Sequence, residues 1–320
     1  MADSLTRAKV FLHKVESSEG VDAVPVVGSD LVLPNGDINI EVPTEQDMGE
    51  GDLKGTFGPG DSTTIKQGMG LPVTTRVRGL GQGAGALLTP AIHAALLASG
   101  HTVVTAGNGT SIPREATYTP SSVLANLKTA TGYFYENALL YKLLGAVNDL
   151  VFEATMNALT AKFKPQSKYT APAAQALPSW GAPTQKLFRM TNALCVITEG
   201  GGAVNVGAFT FDSGTVVEET YETGFHGFRV ANRNPTIKID PRAVSGSMAD
   251  WTALTNCTSA AIIATFTNEL GETLVFNAPK AVPMENTPGA RAGRQIRSKT
   301  FSLKETAGDD QYTIKWTAIL

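Results

Sequence analysis

Charge is scarce in this sequence: Asp, Glu, Lys and Arg make up 17% of the 320 residues and sum to a net −3. A surface that wraps nucleic acid relies on clustered Lys and Arg to displace counterions from phosphates. The balance argues against such a surface, and any contact with DNA is expected to be non-adhesive. Cysteine is nearly absent. Cys195 and Cys257 form no close metal-type pair and no disulfide framework, which suits a reducing compartment and leaves open whether the two meet in the fold. The four histidines, His13, His93, His101 and His226, match none of the usual local ligand spacings of a metal site. No stretch approaches the ~20 apolar residues of a membrane-spanning helix, and residues 1–11 lack the apolar core of a secretion signal. Folding in a cytoplasm, with no membrane anchor, is the expectation.

What is present points to strands. Glycine is high, at 32 residues, and threonine recurs, a composition of short strands and many turns. The length fits two domains of about 100–200 residues. Residues 1–28 read as an arm leading into the fold. Ile38, Ile40 and Val42 then alternate with polar residues, as a half-buried strand requires, and 73–77 resumes strand character. Thr89 as N-cap, Pro90 at the first helical position and Gly100 as the stop predict one short helix, with Ile92, Leu96 and Leu97 on its apolar stripe. Two strands flank Glu136-Asn137, a further pair falls within 147–164, and the prolines and alanines of 166–183 mark a linker.

The second half repeats this order. Strands are expected at 188–197, 204–211, 235–240, 260–267, 272–276, 297–303 and 312–316, with a loop over 214–227 and a short helix over 247–254 capped by Ser247. The chain therefore reads as mainly β, with two β-sandwich or barrel domains. These cover 1–170, with the N-terminal arm and a long loop, and 184–320, each with one short flanking helix.

The long loop, 43–70, holds seven glycines, five acids and, as large apolar groups, only Met48, Leu53, Phe57, Ile65 and Met69. It cannot bury much of its own surface. Compact domains seldom keep an irregular loop this long unless it is functional, so ordering by a partner is expected; the plainer alternative is a solvated hairpin arm.

Motifs that would carry chemistry each fail on a physical requirement. Gly81-Gln82-Gly83-Ala84-Gly85-Ala86 satisfies G-x-G-x-x-A, but the following helix begins too late to meet a pyrophosphate and no ribose-binding acid follows about 20 residues on. Gly200-Gly201-Gly202 lacks the Lys-Ser/Thr of a phosphate loop and reads as a tight hairpin turn. Glu218, Glu219, Glu222, Asp309 and Asp310 lie in expected loops without a calcium-loop pattern and read as solvated acids. Arg291, Arg294, Arg297 and Lys299, spaced among glycines, read as a mobile loop pairing with acids on a neighbouring molecule. No catalytic, cofactor-binding or metal-ligating residue is expected.

Several segments, in order and spacing, resemble the tail tube proteins of long-tailed, non-contractile bacteriophages. Lys14-Val15-Glu16-Ser17-Ser18-Glu19-Gly20-Val21-Asp22-Ala23-Val24-Pro25 resembles the family's K-x-E-x-x-x-G-x-D-A-x-P stretch, and Leu96-Leu97-Ala98-Ser99-Gly100 lies in a segment similar to its L-L-x-A-C/S-G element. Tyr135-Glu136-Asn137, Leu144-Gly145-Ala146 and Phe163-Lys164-Pro165 resemble its middle strand pair. The second half departs more from the pattern.

The resemblance implies a structural virion protein without enzymatic activity, assembled in the bacterial cytoplasm. It would polymerise into stacked rings around a channel through which the genome passes without specific binding. Related tubes place six domains around a ring, so three chains of two domains, giving pseudo-sixfold symmetry, are expected, or six chains if each supplies one. Its partners would be further copies, a tape measure protein, a tail terminator and tail-tip proteins. The long loop would reach the next ring, with Leu53, Phe57 and Ile65 as its anchors. The rival reading is a β-sandwich virion or surface module that recognises a host glycan or protein through the loops at 49–70 and 214–227.

Overall fold

The computed structural model describes residues 9–47, 63–156, 158–181, 183–191, 193–243 and 248–320. The fold is mainly β, built from antiparallel sheets.

Lys9–Val15 forms an inner strand of a five-stranded sheet, between Leu31–Val32 and Ala130–Glu136, with Leu139–Ala146 and Ala173–Ala174 beyond. Val10 and Leu12 pack with Tyr133, Tyr135 and Leu140 on one face, while Phe11 joins the main core on the other. Part of the expected N-terminal arm is thus a covered strand, and its apolar run lacks alternation because both faces are buried. The turn between 130–136 and 139–146 is Asn137-Ala138, both at positive φ (53° and 61°), the twist a two-residue hairpin needs.

The residues that carry the resemblance pin this sheet down. The buried Glu16 carboxylate accepts hydrogen bonds from the Gly20 and Gly145 backbone N–H groups and from the Thr129 and Thr131 hydroxyls, at 2.6–2.8 Å. Asp22 accepts from the Tyr133 hydroxyl and pairs with Lys142 at 2.8 Å. Four donors around one buried carboxylate replace its lost hydration.

A thirteen-stranded sheet holds most of the core. Its long strand Thr273–Arg291 pairs early with Ala260–Thr267 on one edge and Thr313–Thr317 on the other. From Ala281 onward it pairs with Arg294–Leu303, through a register shift between Pro283 and Glu285. One strand thereby serves two facing layers. Phe152 and Phe211 from one layer meet Phe276 and Tyr312 from the other edge-to-face, with centroids 5.0 and 4.8 Å apart, a preferred aromatic geometry.

Strands from both halves of the chain interleave in this sheet, since Val151–Ala154 pairs with Leu159–Phe163 on one side and with Phe209–Asp212 on the other. The expected linker carries two short strands, Gln166–Lys168 and Ala173–Ala174.

The helices are shorter than expected. The first covers His93–Ala98, because the Pro90 carbonyl accepts from the His93 N–H in a tighter turn and Thr89 caps nothing. The second covers Ala249–Thr255 with Met248 at its start; Ser247 lies outside the described residues. The strand expected at 37–42 is absent: Ile38 is buried, but Val42 is exposed and the segment makes one isolated bridge, Glu41 to Gly70.

Candidate assembly surface

Two projecting hairpins replace the expected loops. In the first, Thr44–Asp47 pairs with Thr63–Gly70, so the described ends of the 43–70 segment form a hairpin arm instead of irregular chain. Met69 is buried, whereas Ile65 stands 45% exposed on the arm. Leu53 and Phe57 lie outside the described residues. In the second, Thr215–Glu222 and Phe225–Arg233 form a two-stranded ribbon where 214–227 had been expected as a loop.

The arm is an extension of a longer ladder. Residues 68–70 pair with 166–168, and Val73–Arg76 with residues 160–163, in one unchanged register. The Leu71 N–H donates to the Pro165 carbonyl across the join, and the Val77 N–H donates to Leu159. The run from 63 to 77 therefore follows one direction, with the arm at one end.

Side chains of opposite sign bind the hairpins together. Lys66 on the arm meets Glu219 on the ribbon and Glu45 on its own partner strand, each at 3.2 Å. Glu219 also receives His226 at 2.9 Å, and the Tyr221 hydroxyl donates to the Ile65 carbonyl at 3.0 Å. Between the hairpins lies a groove of about 420 Å³ lined by Pro43, Met69, Val217 and Phe228, with Lys66 and Glu219 at its charged side. Glu219 is thus an exposed acid that nonetheless has two partners within the chain. Likewise, Asp309 accepts from the Ser122 backbone and hydroxyl, and Asp310 from the Thr306 and Ala307 N–H groups.

The basic run is also corrected. Arg291, Arg294, Arg297 and Lys299 lie on the hairpin of Thr273–Arg291 and Arg294–Leu303, and three of them find partners within the chain. Arg291 pairs with Asp240 at 2.6 Å, Lys299 with Glu199 at 2.9 Å and Asp250 at 2.7 Å, and the Arg297 guanidinium sits 5.3 Å over the Trp251 ring.

Several outer strands pair on one side only among the described residues. His101–Ala106 pairs with Glu115–Pro120, and Gly202–Val204 with Cys195–Glu199. Their free N–H and C=O groups can accept a strand from another chain, and Val104 on the first is 68% exposed.

In the glycine motif Gly81 and Gly83 adopt positive φ, 102° and 61°, and the close approach lies just before it. A Cβ on Gly79 would overlap the buried Glu272 carboxylate, which accepts from the Gly81 N–H at 2.5 Å and from the Asn268 amide. Gly200-Gly201 makes a two-residue turn with both φ positive, as expected. Cys195 and Cys257 are both free, and burial pushes the Cys195 thiol up to about 12. Burial lowers His13 to about 3, His93 to about 4 and His101 to about 3. Among the described residues no group of His, Cys, Asp and Glu could hold a metal ion, and no helix is long and apolar enough to cross a membrane.

A scan against protein-family models finds no match for this chain, and a search of curated proteins finds none either. The sequence missed Lys66, Glu219 and Tyr221 as the tie between the hairpins; the Glu218-Glu219 pair was the signal available, and its partner lies 153 residues away.

Proposed function

We propose that this chain is a non-enzymatic structural protein that assembles with copies of itself into rings, and that the rings stack into the tail tube of a long-tailed phage. The observation that carries the reading is the pair of projecting hairpins, tied side by side by Lys66–Glu219 and Tyr221–Ile65. A tied pair is a stiff projection, and stiffness lowers the entropy lost when it docks. The one-sided strands His101–Ala106 and Gly202–Val204 supply edges for lateral pairing within a ring. The order and spacing of the quoted N-terminal and central segments support the same reading.

In this role the chain is made in the host cytoplasm and resides in the virion tail, where DNA crosses the lumen without specific contacts. Tape measure, terminator and tail-tip proteins would bound the tube. Three chains close a ring if each supplies two tube units, six if each supplies one. The glycan-binding alternative is disfavoured because Tyr221, the exposed aromatic of the ribbon, is engaged by Ile65 and by the His226 ring at 5.2 Å. Electron microscopy of the concentrated protein tests the proposal. Rings or tubes with a central channel are expected, and particle mass counts the chains. Persistent monomers that bind a glycan would overturn it.

A further inference from the structure

The second helix, Ala249–Thr255, packs on the long strand Thr273–Arg291 and helps to cover a polar pocket. Asn286 and Lys299 lie there as direct partners, where that strand pairs with Arg294–Leu303. Partners in an antiparallel pair project to the same face, with Cβ atoms ~5 Å apart. Both are nearly shut off from solvent, at 8% and 6% exposed. Their hydrogen bonding is opposite. The Lys299 ammonium donates to both Glu199 oxygens at 2.9 Å and to Asp250 at 2.7 Å. Neither the amide nitrogen nor the amide oxygen of Asn286 has a hydrogen-bond partner. Buried polar groups are nearly always bonded, and one left bare costs about 1–3 kcal/mol. An amine, a bare carboxamide and two carboxylates in one screened pocket are the components of an amide-forming reaction.

We propose that this pocket forms an isopeptide bond between Lys299 Nζ and Asn286 Cγ. Glu199 takes a proton from the Lys299 ammonium, and the freed lone pair attacks Cγ, moving the carbonyl π pair onto Oδ1. Asp250 carries a second Nζ proton to Nδ2. The carbonyl re-forms as the Cγ–Nδ2 bond breaks, and ammonia leaves as ammonium with the proton held by Glu199. One C–N bond forms and one breaks, net charge is conserved, and no cofactor or oxidant takes part. The ion pairs of Lys299 are those of the unlinked chain, and they hold the amine beside its target. Asn286 is the electrophile because it is neutral and unbonded, whereas the negative charge of Glu199 or Asp250 repels an incoming lone pair. Carriage on one hairpin supplies the proximity that a bimolecular aminolysis lacks. The link closes a covalent loop across 286–299, just past the register shift between Pro283 and Glu285, so the hairpin can neither unzip nor slip there.

Mass spectrometry of the denatured full chain tests the link. The mass is expected to fall one ammonia short of the sequence value. Trypsin should release residues 281–291 joined to 298–304 as one branched peptide, uncut after Lys299. Lys299→Arg and Asn286→Ala should each keep the full mass of their sequence, and Glu199→Gln should slow the loss about a hundredfold. A chain of full mass after prolonged incubation at mildly alkaline pH, cut by trypsin after Lys299, overturns the proposal. Loss of water also overturns it, since the partner would then be a carboxylate. So does loss of ammonia that persists in Lys299→Arg, which would mean an asparagine cyclised elsewhere. Circular dichroism checks that the variants fold, and the mass of the unsubstituted chain decides the question if they do not. The outcome is independent of the tube reading, because monomers and tubes give the same denatured mass.

Discussion

Tyr221 and Ile65 stand 156 positions apart, yet the hydroxyl of one donates to the backbone carbonyl of the other at 3.0 Å. With the Lys66–Glu219 pair alongside, this bond makes one projection of two hairpins that share no sheet. Tyr221→Phe should cost under about 1 kcal/mol of global stability, because the site is exposed. Amide exchange in Thr63–Gly70 should rise clearly, and further with Lys66→Ala. Unchanged exchange in the double variant would mean the hairpins are independent.

The role in stacking proposed for the arm has its own test. Deleting residues 52–62 should leave a folded monomer, by circular dichroism and thermal melting, that no longer forms tubes. Tubes with normal axial spacing from the deleted chain would remove the segment from the inter-ring contact.

Three histidines make the fold acid-sensitive. His13, His93 and His101 are held neutral by burial, at about 3, 4 and 3. Their ordinary value lies near 6.5, so the unfolded chain binds these protons first as pH falls. Their contribution is complete above about 6.5 and drains towards 4, by ~1.4 kcal/mol per pH unit for each histidine in that window. The urea midpoint should fall between pH 7 and pH 4.5. His13, stacked 5.8 Å from the Phe163 ring with neither ring nitrogen bonded, can be replaced by Leu to flatten that slope by about a third. A midpoint indifferent to pH would contradict the buried neutral state.

Lys299 joins the Thr273–Leu303 hairpin to the second helix through Asp250 and to the strand Cys195–Glu199 through Glu199. Lys299→Met leaves those acids facing each other across an apolar chain, at a cost of roughly 1–3 kcal/mol. Denaturant unfolding should report the loss, with faster exchange confined first to Ala249–Thr255. A neutral effect would show that the acids rehydrate freely.

Phe276 touches Phe152, Phe209, Phe211 and Phe266 between the two layers. Phe276→Ala should cost about 3–5 kcal/mol through lost transfer energy and a residual cavity, read as a lower urea midpoint. A loss below about 1 kcal/mol would place the core elsewhere.

Several of the strands that sequence alone located have one wet face. Val73–Arg76, Ala260–Thr267 and Thr313–Thr317 alternate in burial as in polarity. Lys9–Val15 escaped because both its faces are covered, which erases the period of two. The arm and ribbon escaped for the opposite reason: both faces are largely wet, and Thr63–Gly70 offers little beyond Ile65 and Met69 to reveal a strand. Their order comes from partners far along the chain, as does that of Arg291 and Lys299, which pair with Asp240, Glu199 and Asp250. The turns at Asn137 and Gly200 were legible because short polar or glycine residues adopt positive φ locally.

The unbroken register of residues 68–76 against 160–168 also decides how the molecule bears load. Tension applied through the arm acts along the strands and across their hydrogen bonds, which lie perpendicular to the strand axis. The bonds are then sheared together, whereas a pull at right angles would peel them singly. If copies stack along that axis, as proposed, a pull on the arm draws on the whole ladder at once.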